Sequence, residues 1–455
     1  MYFQQFYLTC LSHASYMLGS EGVAVVVDPQ RDVSLYIDEA AEHGLKIEHI
    51  IETHLHADFV SGHRELAERT GAKIYLGARA GATFPHVDVQ DGDEVRVGRI
   101  VLRFLETPGH TIESVSIAVT DLDRRETPYA VLTGDTLFIG DVGRPDLAPD
   151  LTPQQLAGML FDSLHRKLLP LGDDVEVYPA HGAGSLCGKQ MRPERQSTIG
   201  KEKALNYALR PQTKEEFVRL LTAELPERPG YFALDAELNR SGAPSLEEMQ
   251  AIPELTEIPA GAIVLDTRPS QQFFAGHIPG AVHIALGGQY ASFAATILGL
   301  DKKIVLVAED EEHLEESRLR LARVGIEGVV GSLKGSMQKW TGPVAENLQI
   351  SVEDLRREMA DVQIVDVRRE AEYADGHIDG AILMPLHKLE SMVSGLDHDR
   401  PIAVHCKGGY RSAIGCSLIQ RAGFENVMNV MGGFDAWRAC GLPQADRETP
   451  VSAAH

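Results

Sequence analysis

Over the first ~235 residues, short apolar runs alternate with amphipathic stretches, the pattern of an α/β fold. The runs TCLSHASYML and VAVVVDP flank Gly19-Ser20-Glu21-Gly22, which predicts a β-hairpin and places Cys10 in a strand as a packed thiol. SLYIDEAAEHG has helical spacing and stops at Gly44, after which IEHIIETH returns as a strand. Further strands are predicted at KIYLG, IVLRFLET, SVSIAVT, YAVLTGD and VEVYPAH. Nearly all end in His, Asp or Gly, so their terminal side chains are placed to converge on one rim. Residues 193–225 predict two amphipathic helical halves around Pro211, and ELNRSGAPSLEEM (237–249) predicts a linker.

Beyond the linker the chain repeats itself. IVLDTRPSQQFFAGHIPGA (263–281) recurs as IVDVRREAEYADGHIDGA (364–381), with Asp266, Arg268, His277, Gly280 and Ala281 matching Asp366, Arg368, His377, Gly380 and Ala381. KIVLVA and RLARVGIEGV recur as PIAVHC and LIQRAGFENV. Two successive α/β units of about 100 residues are implied. The predicted organisation is a first domain at 1–236, a linker at 237–249, domains at 250–345 and 346–447, and a tail at 448–455.

Composition narrows the possibilities. The chain has 455 residues, 44% hydrophobic and 24% charged, as in an ordinary globular protein with material for several cores. Acidic residues number 66 against 43 basic, a net charge of −23, which disfavours nucleic-acid binding. The N-terminus lacks the basic region of a secretory signal. Ile278 to Leu300 carries no charged residue, but Pro279, His283 and Gly287-Gly288 suit a loop and helix better than a membrane span. Five scattered cysteines do not make a disulfide framework, so a reducing cytoplasm is expected.

Candidate chemistry falls in two places. Thr53-His54-Leu55-His56-Ala57-Asp58-Phe59 leaves a predicted strand, and His110, Asp135 and His181 each follow another. In the last unit, Cys406 ends an apolar strand, and Lys407-Gly408-Gly409-Tyr410-Arg411 leads into a helix from Ser412. Backbone N–H groups of such a strand–loop–helix turn form an anion nest. With the helix N-terminus and Arg411, the nest favours a thiolate or persulfide anion, so Cys406 is expected to be the nucleophile. Packing is the expected role of Cys416 and Cys440. Cys187 is either near the metal-type residues or an inert packed thiol. In the middle unit, Ala308 stands where Cys406 does, followed by Glu309-Asp310-Glu311-Glu312, so that copy is expected to be a scaffold or interface.

The first constellation resembles the metallo-β-lactamase superfamily, whose signature is HxHxDH followed by separate His, Asp and His ligands. That resemblance implies an αββα sandwich. Phe59 replaces the last His of the signature, which impairs a two-metal site. A 2-His-1-carboxylate site of His54, His110 and Asp135 suits Fe(II) and dioxygen, one metal per chain, with His56, Asp58 and His181 orienting the ligands. TGDTLFIGDVGRPDL (133–147) is similar to the persulfide dioxygenase branch, which implies oxidation of a thiol persulfide to sulfite with O2. Arg144 then binds a substrate carboxylate or pairs with Asp146, and Tyr178 lines the pocket or packs on its strand.

DVRREAEYADGHIDGA, the C-x4-R loop and GGFDAW resemble a rhodanese domain, which implies sulfane-sulfur transfer through a Cys406 persulfide, with Gly408, Gly409 and Arg411 around it. The whole then resembles a persulfide dioxygenase followed by two α/β rhodanese domains with central parallel sheets, the first lacking its cysteine. Sulfite or thiosulfate is the expected sulfur partner. No nucleic acid or membrane partner is expected, and related enzymes imply a homo-oligomer. Two alternatives stay open: a zinc hydrolase of the glyoxalase II kind, its zinc on His54, His56 and His110, and a non-oxidative sulfur relay using Cys406 alone.

Overall fold

The computed structural model describes residues 1–211, 213–223, 225–246 and 251–445. The expected tail at 448–455, and residues 247–249 of the expected linker, lie outside them. Contacts divide the chain into two compact units, the first made of residues 1–250 with 321–326 and the second of the rest of the chain from 251 on.

In the first unit the elements run β1 (Tyr2–Leu8), β2 (His13–Ser20), β3 (Val23–Val27), α1 (Ser34–Glu42), β4 (Lys46–Ile51), α2 (His63–Thr70), β5 (Lys73–Gly77) and β6 (Val87–Val89). They continue with β7 (Glu94–Val97), β8 (Ile100–Glu106), β9 (Val115–Asp121), β10 (Ala130–Gly134), α3 (Pro153–Ser163), β11 (Glu176–Pro179), β12 (Ser197–Thr198), α4 (Ile199–Leu205), α5 (Lys214–Thr222) and α6 (Phe232–Ser241). Strands β1 to β6 form one six-stranded sheet in chain order, and β12-β11-β10-β9-β8-β7 form the other. The predicted hairpin is β2–β3, with Ser20 opposite Val23.

Alternating side chains divide the cores. Tyr16, Leu18, Val25 and Val27 face Leu102, Phe104, Ile117 and Leu132 between the sheets. Met17, Ala24 and Val26 point the other way, onto Tyr36 and Leu66 of α1 and α2. Val131 and Val177 meet Leu160 of α3 and Phe217 of α5 on the opposite outer face. The result is the expected αββα sandwich. Two details differ from the sequence reading. Cys10 lies in the turn between β1 and β2 rather than in a strand. Residues 237–241, read as the start of a linker, are the last turns of α6.

The second unit holds the sheets of both sequence repeats, each five-stranded. The first copy comprises β13 (Glu254–Leu255), β14 (Ile263–Asp266), α7 (Ser270–Ala275), β15 (Val282–His283), α8 (Tyr290–Leu298), β16 (Ile304–Val307), α9 (Glu311–Ala322) and β17 (Val329–Leu333). Its strands are all parallel, in the order β13-β17-β16-β14-β15. The second comprises β18 (Leu348–Ile350), α10 (Val352–Glu358), β19 (Gln363–Asp366), α11 (Glu370–Ala374), β20 (His377–Ile378), β21 (Ile382–Leu383), α12 (Leu389–Met392), β22 (Ile402–His405), α13 (Tyr410–Arg421), β23 (Val427–Val430), α14 (Gly433–Ala439) and β24 (Gln444–Ala445). Its parallel sheet runs β18-β23-β22-β19-β21, and β20 pairs separately with β24.

The repeated residues build the same brace twice. Arg368 Nε and Nη2 donate to the two carboxylate oxygens of Asp366 at 2.9 and 2.6 Å, and Nη2 also donates to Gly376 O at 2.8 Å. Arg268 does the same with Asp266 (3.0 and 2.6 Å) and Gly276 O (2.9 Å). Both arginines are buried, where an unpaired charge would be costly, so each pair fastens a strand end to the following loop. No helix among the described residues is long and apolar enough to cross a membrane.

Candidate metal centre and sulfur-transfer loop

His54 follows β4, His110 follows β8, Asp135 follows β10 and His181 follows β11. The two sheets bring these ends to one edge of the sandwich, and all four side chains are buried. One donor atom each of His54, His110 and Asp135 lies within 4.8 Å of the others.

The hydrogen bonds around the two histidines decide which nitrogen faces inward. His110 Nδ1 lies 3.0 Å from the carbonyl of Arg144, which can only accept, so Nδ1 carries the proton. Thr53 Oγ1 donates to Asp28 Oδ2 at 2.9 Å and therefore accepts from His54 Nδ1, also at 2.9 Å. Both rings present a bare Nε2 to Asp135 Oδ2, at 3.3 Å for His110 and 3.8 Å for His54. Burial pushes His110 below, and His54 well below, the ordinary imidazole value, so both stay neutral. Among the described residues, His110 Nε2 has no hydrogen-bond partner. Two neutral imidazole lone pairs and a carboxylate oxygen aimed together fit a divalent transition metal.

Asp135 is itself oriented. His181 Nδ1 lies 2.8 Å from its Oδ1 and 3.0 Å from its Oδ2, and Oδ2 also faces the two histidines. Burial works against its charge, but the charge and hydrogen bond of His181 outweigh that and hold the carboxyl well below the usual range. His181 Nε2 is 3.1 Å from Asp58 Oδ2. With carboxylates on both nitrogens, His181 is held well above the usual imidazole value despite its burial. His56 turns Nε2 toward Asp28 Oδ1 (3.3 Å) and Glu52 Oε2 (3.5 Å). Asp28 thus supports His54 through Thr53 and His56 directly, a role the sequence reading missed.

Phe59 is fully buried, its ring centroid 4.1 Å from that of His13 and 4.4 Å from that of His56. It removes one imidazole but not every other donor, since His56, Asp58 and His181 also offer atoms within 4.8 Å of one another. Cys187, whose place was open, is buried in a donor group with Asp135 and His181, and burial pushes its thiol well up.

The two residues expected at the substrate both have partners within the chain. Arg144 Nε and Nη2 donate to Asp146 at 2.7 and 2.8 Å, Nη2 to Pro226 O at 2.6 Å and Nη1 to Leu186 O at 3.3 Å. Of the two roles left open for Arg144, pairing with Asp146 is the one observed. The backbone here must also be slim, because a Cβ on Gly143 would lie 2.1 Å from Asp135 O and 2.8 Å from His110 Nδ1. Tyr178 donates to Glu176 Oε2 at 2.8 Å and packs its ring against Phe3 and Tyr16 in the inter-sheet core.

Cys406 is buried at the end of β22. Gly409 N–H donates to Cys406 Sγ at 3.1 Å, and the thiol reaches Ser412 Oγ at 3.6 Å. Gly408 is exposed in the loop. The start of α14 closes the loop from behind, with Phe434 N–H on Cys406 O (2.8 Å) and Asp435 N–H on Lys407 O (3.0 Å). Gly433 permits this, since a Cβ there would lie 2.4 Å from Cys406 O. Arg411 Nη1 and Nη2 donate to Glu372 at 2.6 and 2.8 Å, and its charge also interacts with Cys406. Burial alone would raise the Glu372 carboxyl, but Arg411 brings it down to about 2.

The middle copy holds the loop from the other side. Tyr410 Oη lies 2.7 Å from Ala285 O and 2.9 Å from Gly287 O. Arg320 donates to the carbonyls of Leu286 and Gly288 in the same stretch. Where Cys406 would be, Ala308 is buried, and Asp310 Oδ1 accepts from His313 N at 2.9 Å to cap α9.

Residues 8–181 match the metallo-β-lactamase superfamily, and residues 245–343 and 351–440 match the rhodanese-like domain. The human mitochondrial persulfide dioxygenase ETHE1 is 31% identical over 215 residues, 46% of this chain and 75% of that protein. The chain belongs to the metallo-β-lactamase superfamily. Within it the N-terminal module groups with a persulfide dioxygenase, in a fusion with two rhodanese-like domains. A sulfurtransferase of Allochromatium vinosum is 35% identical over 98 residues, 21% of this chain and 92% of that protein. A crystal structure titled as a metallo-β-lactamase from Staphylococcus aureus is 33% identical with a TM-score of 0.68, covering 73% of this chain and 98% of that one. The superfamily fold and the rhodanese-like pair make the chain an enzyme of small sulfur compounds.

Proposed function

We propose that this chain oxidises a low-molecular-weight thiol persulfide to sulfite at a mononuclear non-haem Fe(II) site, and passes sulfane sulfur through Cys406. His54 Nε2, His110 Nε2 and Asp135 Oδ2 would hold the metal. The observation that carries the reading is the commitment of both Nδ1 atoms, which leaves two neutral nitrogens and one carboxylate oxygen aimed together. Such a set leaves coordination positions open, and Fe(II) bound there supplies the one-electron chemistry by which O2 reacts with a sulfur anion.

The chain's own contribution is orientation. Arg144 O and Thr53 Oγ1 fix the two tautomers, and the Asp58–His181 pair steers Asp135. Persulfide, O2 and water give thiol, sulfite and two protons: the sulfane sulfur loses four electrons and O2 gains them. At the other site a Cys406 persulfide gives its outer sulfur to sulfite, the S–S bond breaks, and thiosulfate and the Cys406 thiolate result. The same steps in reverse load Cys406. Gly409 N–H is placed to steady the sulfur anion in either direction. A reducing cytoplasm and a homo-oligomeric assembly complete the proposal.

A second reading has one observation in its favour: His56, Asp58 and His181 form a further donor group beside Asp135. That group suits a two-metal zinc hydrolase. Metal analysis combined with oxygen uptake separates the two. One iron per chain with persulfide-dependent O2 consumption is expected, whereas two zincs with thioester cleavage and no uptake would overturn the dioxygenase.

A further inference from the structure

The loop between β4 and α2 carries His54, His56, Asp58 and Phe59 and has no ladder of its own to hold it. Its inward carbonyls are buried and need donors. Asn239 of α6 supplies them: Nδ2 donates to His56 O at 2.7 Å and to Phe59 O at 2.8 Å, and Oδ1 accepts from Ser61 N–H at 2.8 Å. Both amide hydrogens and the carbonyl of one side chain, 1% exposed, are thus spent bracketing Asp58. Asp58 faces His181, and His181 faces Asp135, so a shift of the loop is passed on to the carboxylate oxygen aimed at the metal.

The helix is firmly seated. Phe232 is buried, Arg240 O accepts from Thr83 N–H at 3.0 Å, and Arg240 Nε donates to Ala80 O at 3.3 Å. It also lies beyond residues 8–181, the segment that matches the superfamily. We infer that Asn239 is a positioning residue for the metal centre, supplied by a helix outside the matched segment. This rests on the proposed metal reading of His54, His110 and Asp135.

Cobalt(II) titration of the metal-free full-length chain tests it, because the visible bands report ligand geometry without turnover. The wild type is expected to bind one cobalt. Asn239→Ala is expected to bind at least about tenfold more weakly with shifted bands, in line with losses of partners behind metal ligands. Asn239→Asp keeps the shape but turns an oxygen toward two carbonyls, and the same change is expected. Thiosulfate:cyanide transfer at Cys406 is expected to stay within about twofold, since Asn239 belongs to the first compact unit and Cys406 to the second.

Unchanged affinity and bands in both variants would overturn the inference. A wild type that binds no cobalt would overturn the metal reading and this inference with it. Should neither variant fold, amide exchange in the wild type decides: slow exchange at Ser61 supports the bond to Asn239, and exchange at the rate of an open loop overturns it.

Discussion

The two reactive regions are built by opposite means. The metal centre draws side chains from the ends of four strands spread from His54 to His181, and its character comes from ring tautomers and carboxylate pairing. The sulfur-transfer loop is one short stretch from Cys406 to Ser412, and what touches its sulfur is a backbone N–H and a hydroxyl. A site of the first kind depends on the alignment of two sheets, whereas one of the second is specified by a local turn and braced by neighbours. Removing one side chain should therefore abolish the first chemistry while sparing the second, and only the cysteine itself should do the same for the loop.

The largest expected effect is this separation. Asp135→Ala should lose metal and O2 consumption to below detection while keeping thiosulfate:cyanide transfer within about twofold, and Cys406→Ser should do the reverse. Metal content, an oxygen electrode and a thiocyanate assay check both, and survival of both activities in either variant would break the partition. Next, Phe59→His restores an imidazole beside His56, Asp58 and His181. It should raise metal stoichiometry from one toward two per chain by elemental analysis, and an unchanged ratio would show that the phenyl ring is not what limits the second group.

Tyr410→Phe probes how far the loop relies on the middle copy. It removes the hydroxyl shared by Ala285 O and Gly287 O, and transfer should fall about threefold to tenfold, mostly in kcat, on the scale of one hydrogen bond. The smallest effect concerns Glu372. Its carboxyl is held at about 2, so the Arg411 pair contributes fully above the unfolded carboxyl value near 4.5 and is lost as pH falls through about 2. Glu372→Gln should cost about 1 kcal/mol at pH 7, and the gap in melting temperature from wild type should narrow between pH 5 and pH 3. A gap that stays constant over that range would break the pairing account.

Legibility in the sequence followed the same division. His54, His110, Asp135 and His181 stood out because each follows an apolar run, and the two later copies stood out by their 100-residue repeat. Asn239 did not, because a polar residue in a stretch with Gly, Pro and Ser looks like linker, and its three bonds go to residues some 180 positions away. Arg144 could be given two roles, and only the positions of Asp146, Leu186 and Pro226 choose between them. Glu372 carries no signal in the sequence, since an acidic residue in a helix is ordinarily solvated. Tyr410 reads as a loop residue in the sequence, with nothing there to indicate the carbonyls it meets.

Periodicity and local spacing by themselves determined the layered α/β architecture, the doubled C-terminal unit, the strand-end rim and the cysteine loop, because apolar alternation and turn chemistry act over a few neighbouring residues. Tertiary structure alone decided which nitrogen of each histidine faces inward, that Arg411 pairs with Glu372, and that α6 closes the metal loop. Those outcomes depend on hydrogen-bond partners distant in the chain, whose distances and directions exist only once the sheets and helices have packed.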